Sequence, residues 1–126
     1  MRGLIIREPW IGHILAGKKT WEMRTRPTSV RGRIGLIRKG SGMVIGVANL
    51  VESLAPLDAR SLAASRDRHG IMPEHEEEAL EGGWVYPWVL SDVRKLPRPV
   101  PAGQKPGQVI WVTLAPSTIA AITRHV

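Results

Sequence analysis

Within six residues, Lys19, Thr20, Glu22 and Arg24 bring together an ammonium, a hydroxyl, a carboxylate and a guanidinium. Such a set can run a hydrolysis, the carboxylate taking a proton from water while a cation steadies the oxyanion that forms. A solvated strand face with a surface ion pair has the same spacing, because exposed pairs are common and weak. What separates the two readings is where the backbone puts these side chains. In TWEMRTR (20–26) polar and apolar residues alternate, so a strand sends Trp21 and Met23 to one face and Thr20, Glu22 and Arg24 to the other. Upstream, Pro9 suits the first position of a short helix whose apolar face is Trp10, Ile11, Ile14 and Leu15. Gly17 stops that helix, and Lys18 and Lys19 follow at the negative end of its dipole. Lys19 therefore enters from a helix end beside the polar face of a strand, and Lys18 stays on the solvated side.

The rest of the chain must supply a frame for this junction. GRIGLIRK (32–39) and MVIGVANLVE (43–52) are β-branched runs separated by Gly40, Ser41 and Gly42, a hairpin signature. LDARSLAAS (57–65) and PEHEEEAL (73–80) read as helices. WVYPWVLSDVRK (84–95) resumes strand character with Pro87 at an edge or bulge, and a proline-rich turn follows it. VIWVTL (109–114) reads as a last buried strand, and Ser117 or Thr118 as the cap of a helix ending near His125. Strands and helices that come in groups argue for an α+β fold, a small, mostly antiparallel curled barrel, over a doubly wound parallel sheet. The length fits one domain over residues 1–126, without linker or repeat.

Charge points to the partner. Residues 1–39 hold ten Lys and Arg against two acids, whereas residues 53–83 hold three against seven, within a total of +7. A basic first third suits an anion, with nucleic acid or a nucleotide first in line, although a solubilising surface explains the composition equally well. Arg26, Arg31, Arg33, Arg38 and Lys39 are the candidate phosphate contacts. Other classes fall away. The chain has no cysteine, and His13, His69, His75 and His125 show no metal spacing, so neither a metal nor a cofactor is expected. Gly12 to Lys18 mimics the opening of a phosphate-binding loop, but Lys19 stands where that loop needs a hydroxyl and the middle residues are helical. No apolar run approaches membrane length and the start lacks a secretory core, so a cytoplasmic protein is expected.

The run REPWIGHILAGKKTWEMRTRPT resembles the signature of the ASCH domain family, in which a Pro-aromatic pair, an apolar helix, Gly-x-Lys and Glu-x-Arg recur in this order. RGRIGLIRKG, VIGVANLVE, PWVLSDVRKLPRPVP and GQVIWV are similar to strands of the same family. The resemblance implies a PUA-like barrel with helices packed around it, a cleft beside the motif, and activity directed at RNA or nucleosides. One branch hydrolyses cytidine acylated on its exocyclic amine, of the N(4)-acetylcytidine type; its catalytic lysine matches Lys19, whereas Glu22 stands where that branch has a catalytic threonine. The branch takes a further catalytic acid from the inserted helices, where this chain offers His69, Asp67 or Glu74. The expected enzyme is thus an amidohydrolase with Glu22 activating water, Lys19 facing the oxyanion, and Thr20 and His69 as further catalytic candidates. Trp10, Arg24, Trp84, Tyr86 and Trp88 are the candidate substrate contacts, and Trp21 and Trp111 belong to the core. The competing expectations are an RNA-binding module or a ribonuclease in the same cleft. The oligomeric state is open.

Overall fold

A computed structural model describes residues 1–125 of the chain. Its elements are β1 (Arg2–Ile6), α1 (Trp10–Leu15), β2 (Trp21–Arg24), β3 (Gly32–Arg38) and β4 (Met43–Ser53), then α2 (Ala59–Ala64) and α3 (Arg66–His69). A 3₁₀ turn (Pro73–His75) leads into α4 (Glu76–Gly82), followed by β5 (Tyr86–Pro101), β6 (Trp111–Thr113) and α5 (Pro116–Thr123). The strands form one sheet in the order β2-β5-β4-β3-β1-β6, in which only β1 and β3 run parallel. This is the α+β architecture expected of the sequence.

The sheet curls until its distant strands meet. Three strands separate β5 from β6 in the pairing order, yet Trp88 and Trp111 stack with centroids 5.8 Å apart. Arg24 on the β2 edge likewise donates to the carbonyl of Ile5 on β1, 2.8 Å away. Both faces of the sheet are covered. Leu4, Ile6, Ile34, Leu36 and Leu50 pack with Ile11 and Ile14 of α1, while Ile5, Ile37, Val47 and Val112 pack with Ile122 of α5. Burial on both faces is why β1 and β3 read as unbroken apolar runs instead of alternating. A third cluster, Met23, Leu62, Ile71 and Ala79, seats α2 to α4 against the outer side of β2.

Two expectations need correction. LPRPVP is not a turn, since β5 continues through it to Pro101. Beyond Val89 only β4 pairs with β5, and the Ala102 N–H points to Gly42 on that side. Pro101, one residue earlier and paired with Met43, turns its nitrogen to the open edge, where no donor is needed, while Pro97 and Pro99 lie in a bulge outside the ladder. Neither Ser117 nor Thr118 caps α5: the helix starts with Pro116, and the Thr118 hydroxyl is instead buried and donates to the Pro101 carbonyl at 2.6 Å.

Candidate functional site

The end of α1 delivers Lys19 by a specific device. Gly17 adopts a left-handed φ of 77°, the Lys18 N–H reaches back to the His13 carbonyl at 2.9 Å, and the Gly17 N–H bonds the Ile14 carbonyl at 3.1 Å. This pair of bonds closes the helix and reverses the chain, and glycine suits the position because it has no Cβ to strain there. Lys18 is left exposed, as expected, while Lys19 retains only 2% of its exposure. Neighbouring elements clamp the junction: the Thr20 N–H donates to Arg68 of α3 at 3.0 Å and the Thr20 carbonyl accepts from Leu90 of β5 at 2.9 Å.

Inside, Lys19 Nζ donates to the His69 carbonyl at 2.6 Å, lies 3.9 Å from Glu22 Oε1 and stands 5.0 Å from the centre of the Trp10 ring. Glu22 is 5% exposed, so the strand face read as polar points into the fold and not to solvent. Its Oε2 accepts from Arg24 Nε at 3.0 Å and lies 2.9 Å from Arg24 Nη2. Because Arg24 also bonds the Ile5 carbonyl and rests over Trp88, it fixes the carboxylate and leaves Oε1 facing Lys19. Two cations and one anion make the cluster net positive with Lys19 protonated.

Burial is the largest influence on Lys19 and, helped by Arg24, it outweighs the attraction of Glu22, lowering the ammonium from 10.5 to about 8. A nearby carboxylate alone favours the charged form, so desolvation is the dominant cause here. Lys19 can therefore exchange a proton near neutral pH.

His69 joins the site differently from the expectation. The ring is fully buried, its Nδ1 accepts from the Ile71 N–H at 2.8 Å and its Nε2 lies 2.7 Å from the Leu62 carbonyl. A donor at Nδ1 and an acceptor at Nε2 select the neutral Nε2–H tautomer, and burial pushes the ring below its usual titration range. With both nitrogens occupied, the ring has none free for proton transfer, and His69 serves Lys19 through its carbonyl. Asp67 and Glu74 are exposed on α3 and the 3₁₀ turn, and Thr20 is exposed just before β2.

The aromatic candidates separate. Trp10 is half-buried against Lys19, and Tyr86 stands opposite Arg24 in the β2–β5 register. Trp88 is 3% exposed, stacked on Trp111 and bonded to the Arg26 carbonyl, so it builds the core and offers no open face. Trp84 is exposed, with its indole over Gly82 at the end of α4. Trp21 and Trp111 are only half-buried, flanking the core clusters.

The arginine band also divides. Arg31 and Arg33, with Arg2, line an open groove of about 320 Å³ near the start of β3. Arg38 and Lys39 stand at the other end of that strand, roughly 17 Å away at 3.3 Å per residue. Arg26 is exposed in the loop between β2 and β3. Sequence reasoning passed over Arg2, and it had no means of finding the Ile5 and His69 carbonyls, which carry no residue-type signal. Among the described residues no three His, Asp or Glu side chains are grouped to hold a metal ion, and no helix is long and apolar enough to cross a membrane.

The model of the ASCH domain matches residues 4–99, three-quarters of the chain and all of the Lys19–Glu22–Arg24 motif. The chain belongs to the ASCH domain family. Solved structures agree on the fold: an ASCH protein from Zymomonas mobilis superposes with a TM-score of 0.72 at 20% identity, covering 98% of this chain and 93% of that one. Tyr-to-Phe and Ser-to-Ala mutants of the Zymomonas mobilis protein superpose with TM-scores of 0.73 and 0.72, also at 20% identity, and each pairing covers 98% of this chain, against 96% and 94% of the mutants. No curated protein matches the chain. ASCH domains are RNA-binding and hydrolase-like, which sets the class of function for this one.

Proposed function

We propose that this ASCH domain, acting as one unit over residues 1–126, is an amidohydrolase that removes an acyl group from the exocyclic amine of a modified cytosine nucleoside, of the N(4)-acetylcytidine type. The observation that carries the reading is the buried Lys19–Glu22 pair, in which a lysine near pKa 8 faces the free oxygen of an anchored carboxylate. Glu22 Oε1 takes a proton from water as the water oxygen attacks the acyl carbon. The oxyanion so formed faces the Lys19 ammonium, in the place of the His69 carbonyl that otherwise accepts from it. Collapse breaks the C–N bond, and the proton on Glu22 passes to the departing amine, giving the free base and a carboxylic acid. Arg24 is a positioning residue for Glu22. Trp10 and Tyr86 flank the base, and Thr20 at the rim is the alternative nucleophile.

The test is steady-state release of cytidine from N(4)-acetylcytidine by the parent, Glu22→Gln and Thr20→Val, each checked for folding. Glu22→Gln should lower turnover by about 10² to 10⁴, the usual worth of general acid–base catalysis, and Thr20→Val should keep most activity. A dead Thr20→Val beside a merely impaired Glu22→Gln would move the nucleophile to Thr20. No turnover by the parent would reject the reading.

A second reading, RNA binding, is favoured by the open groove at Arg2, Arg31 and Arg33. Guanidinium groups at an open groove suit phosphates of a passing strand. Binding of an unstructured RNA should then fall steeply between low and moderate salt and weaken in Arg31→Ala and Arg33→Ala, with nucleoside hydrolysis unchanged. Salt-insensitive binding would reject it, and strand cleavage would redirect it to a ribonuclease.

A further inference from the structure

Opposite Ile45, β5 leaves its ladder. Val44 pairs with Val100 and Gly46 with Lys95, so the four residues from Leu96 to Pro99 stand against one. A bulge bends a strand away from its partner, and here Pro97 and Pro99 fix two of its φ angles. The space between the bulge and α1 is a groove of about 540 Å³, within the roughly 300 to 1,000 Å³ of small-molecule sites. On the helix side, Gly12 and Ala16 lie one turn apart and add little bulk, with the Gly12 N–H held by Glu8 Oε1 at 2.9 Å, while Leu15, Pro97 and Pro99 supply apolar surface over the nearly buried Ile45 and Leu96.

Two cations complete it. Arg38 Nε lies 3.5 Å from Glu8 Oε2, a contact that orients the guanidinium and leaves its two terminal nitrogens without a partner among the described residues. Lys95, which also lines the groove, makes no ion pair or side-chain hydrogen bond among the described residues. Arg38 thus shares its charge with one carboxylate, as Arg24, Arg31, Arg33, Arg66 and Arg94 do, and Lys95 is the cation of the groove that no carboxylate offsets among the described residues. None of Lys19, Glu22 and Arg24 lines the groove.

We infer that this groove is a second binding site, separate from the Lys19–Glu22 pair, for a small organic phosphate. A planar apolar body such as a nucleobase lies along Leu15, Pro97 and Pro99, and the phosphate is held between the Arg38 fork and Lys95. A guanidinium presents paired N–H donors to phosphate oxygens, and the ligand must draw Arg38 partly away from Glu8.

The experiment is a titration of the full chain with cytidine 5′-monophosphate, cytidine and inorganic phosphate, followed by amide NMR shifts. The nucleotide should move the amides of Gly12, Ile45 and Leu96 and bind at least about tenfold tighter than either fragment. Lys95→Ala should weaken it about tenfold, the worth of one hydrogen bond to a charged group. Ala16→Leu, at an exposed position, should fill the groove and abolish binding. Shifts confined to Thr20 and Glu22 would put the nucleotide at the catalytic pair and overturn the inference. So would phosphate binding as tightly as the nucleotide, undiminished binding by Ala16→Leu, or no binding at all.

Discussion

Two ion-pair clusters in this molecule invert the usual relation between geometry and worth. Arg66 on α3 grips Glu76 on α4 with a two-pronged contact, Nε to Oε2 at 2.8 Å and Nη2 to Oε1 at 2.6 Å. Lys19 and Glu22 are 3.9 Å apart, and the lysine's one hydrogen bond goes to a carbonyl. By distance the first pair is the better one, yet Arg66 is half-exposed, and water and salt screen what it gains. The second lies where water is excluded, so it costs the fold free energy and survives for another reason. The Arg66–Glu76 clasp is therefore worth little to stability for all its good geometry. In the proposed function, the proton chemistry of Lys19 and Glu22 is the reason the second pair survives.

Glu22→Gln should sharpen this contrast most. It leaves the buried Lys19 and the part-buried Arg24 without their shared anion, and breaking a buried pair in this way costs about 3 to 5 kcal/mol. Urea unfolding at pH 7 measures it, and a loss under about 1 kcal/mol would mean that the cluster behaves as a surface pair.

Lys19→Met comes next, and its signature is a pH dependence. The fold lowers Lys19 from 10.5 to about 8 and so favours the neutral amine. The unfolded chain therefore binds more protons between those values, and the parent should gain stability as pH rises through that window. At 1.36 kcal/mol per pKa unit the gain is on the order of 3 kcal/mol, and Lys19→Met should lack it. Equal slopes for parent and variant from pH 8 to 10.5 would remove the ammonium from the interior.

Arg66→Ala should have the smallest effect. Its thermal midpoint should barely move, and the difference from the parent should shrink further in added salt. A large drop would show that the α3–α4 clasp holds the carbonyls that receive Lys19 and Thr20, and would merge the two clusters into one.

The contrast also explains what could be read before the fold was known. The route from Trp10 to Arg24 was legible because helix period, glycine stop and strand alternation act over neighbouring residues, and the hairpin at Gly40–Gly42 was legible for the same reason. Alternation placed Glu22 and Arg24 on one face correctly, but it could not say that this face points inward, because the curl brings β1 over it from 19 residues away in sequence. His69 was noticed for its ring and enters through its carbonyl, 50 positions from Lys19. LPRPVP looked like a turn because proline content was weighed without the bulge and the open edge that accommodate it. The Trp88 stacking face was lost to Trp111, a partner that only closure of the sheet supplies.

The strand order has a consequence for synthesis. β1 is made first and finds β3 early, but its other neighbour is β6, which begins only at Trp111. At about 5 to 20 residues per second, several seconds separate the completion of β3 from the arrival of β6. Throughout that interval β1 presents an unpaired apolar edge, the kind of template on which chains associate wrongly. Closure of the sheet is then a late, long-range step. Substitutions in Trp111, Val112 or Thr113 should lower the yield of folded protein in cells by more than their effect on the finished molecule would indicate.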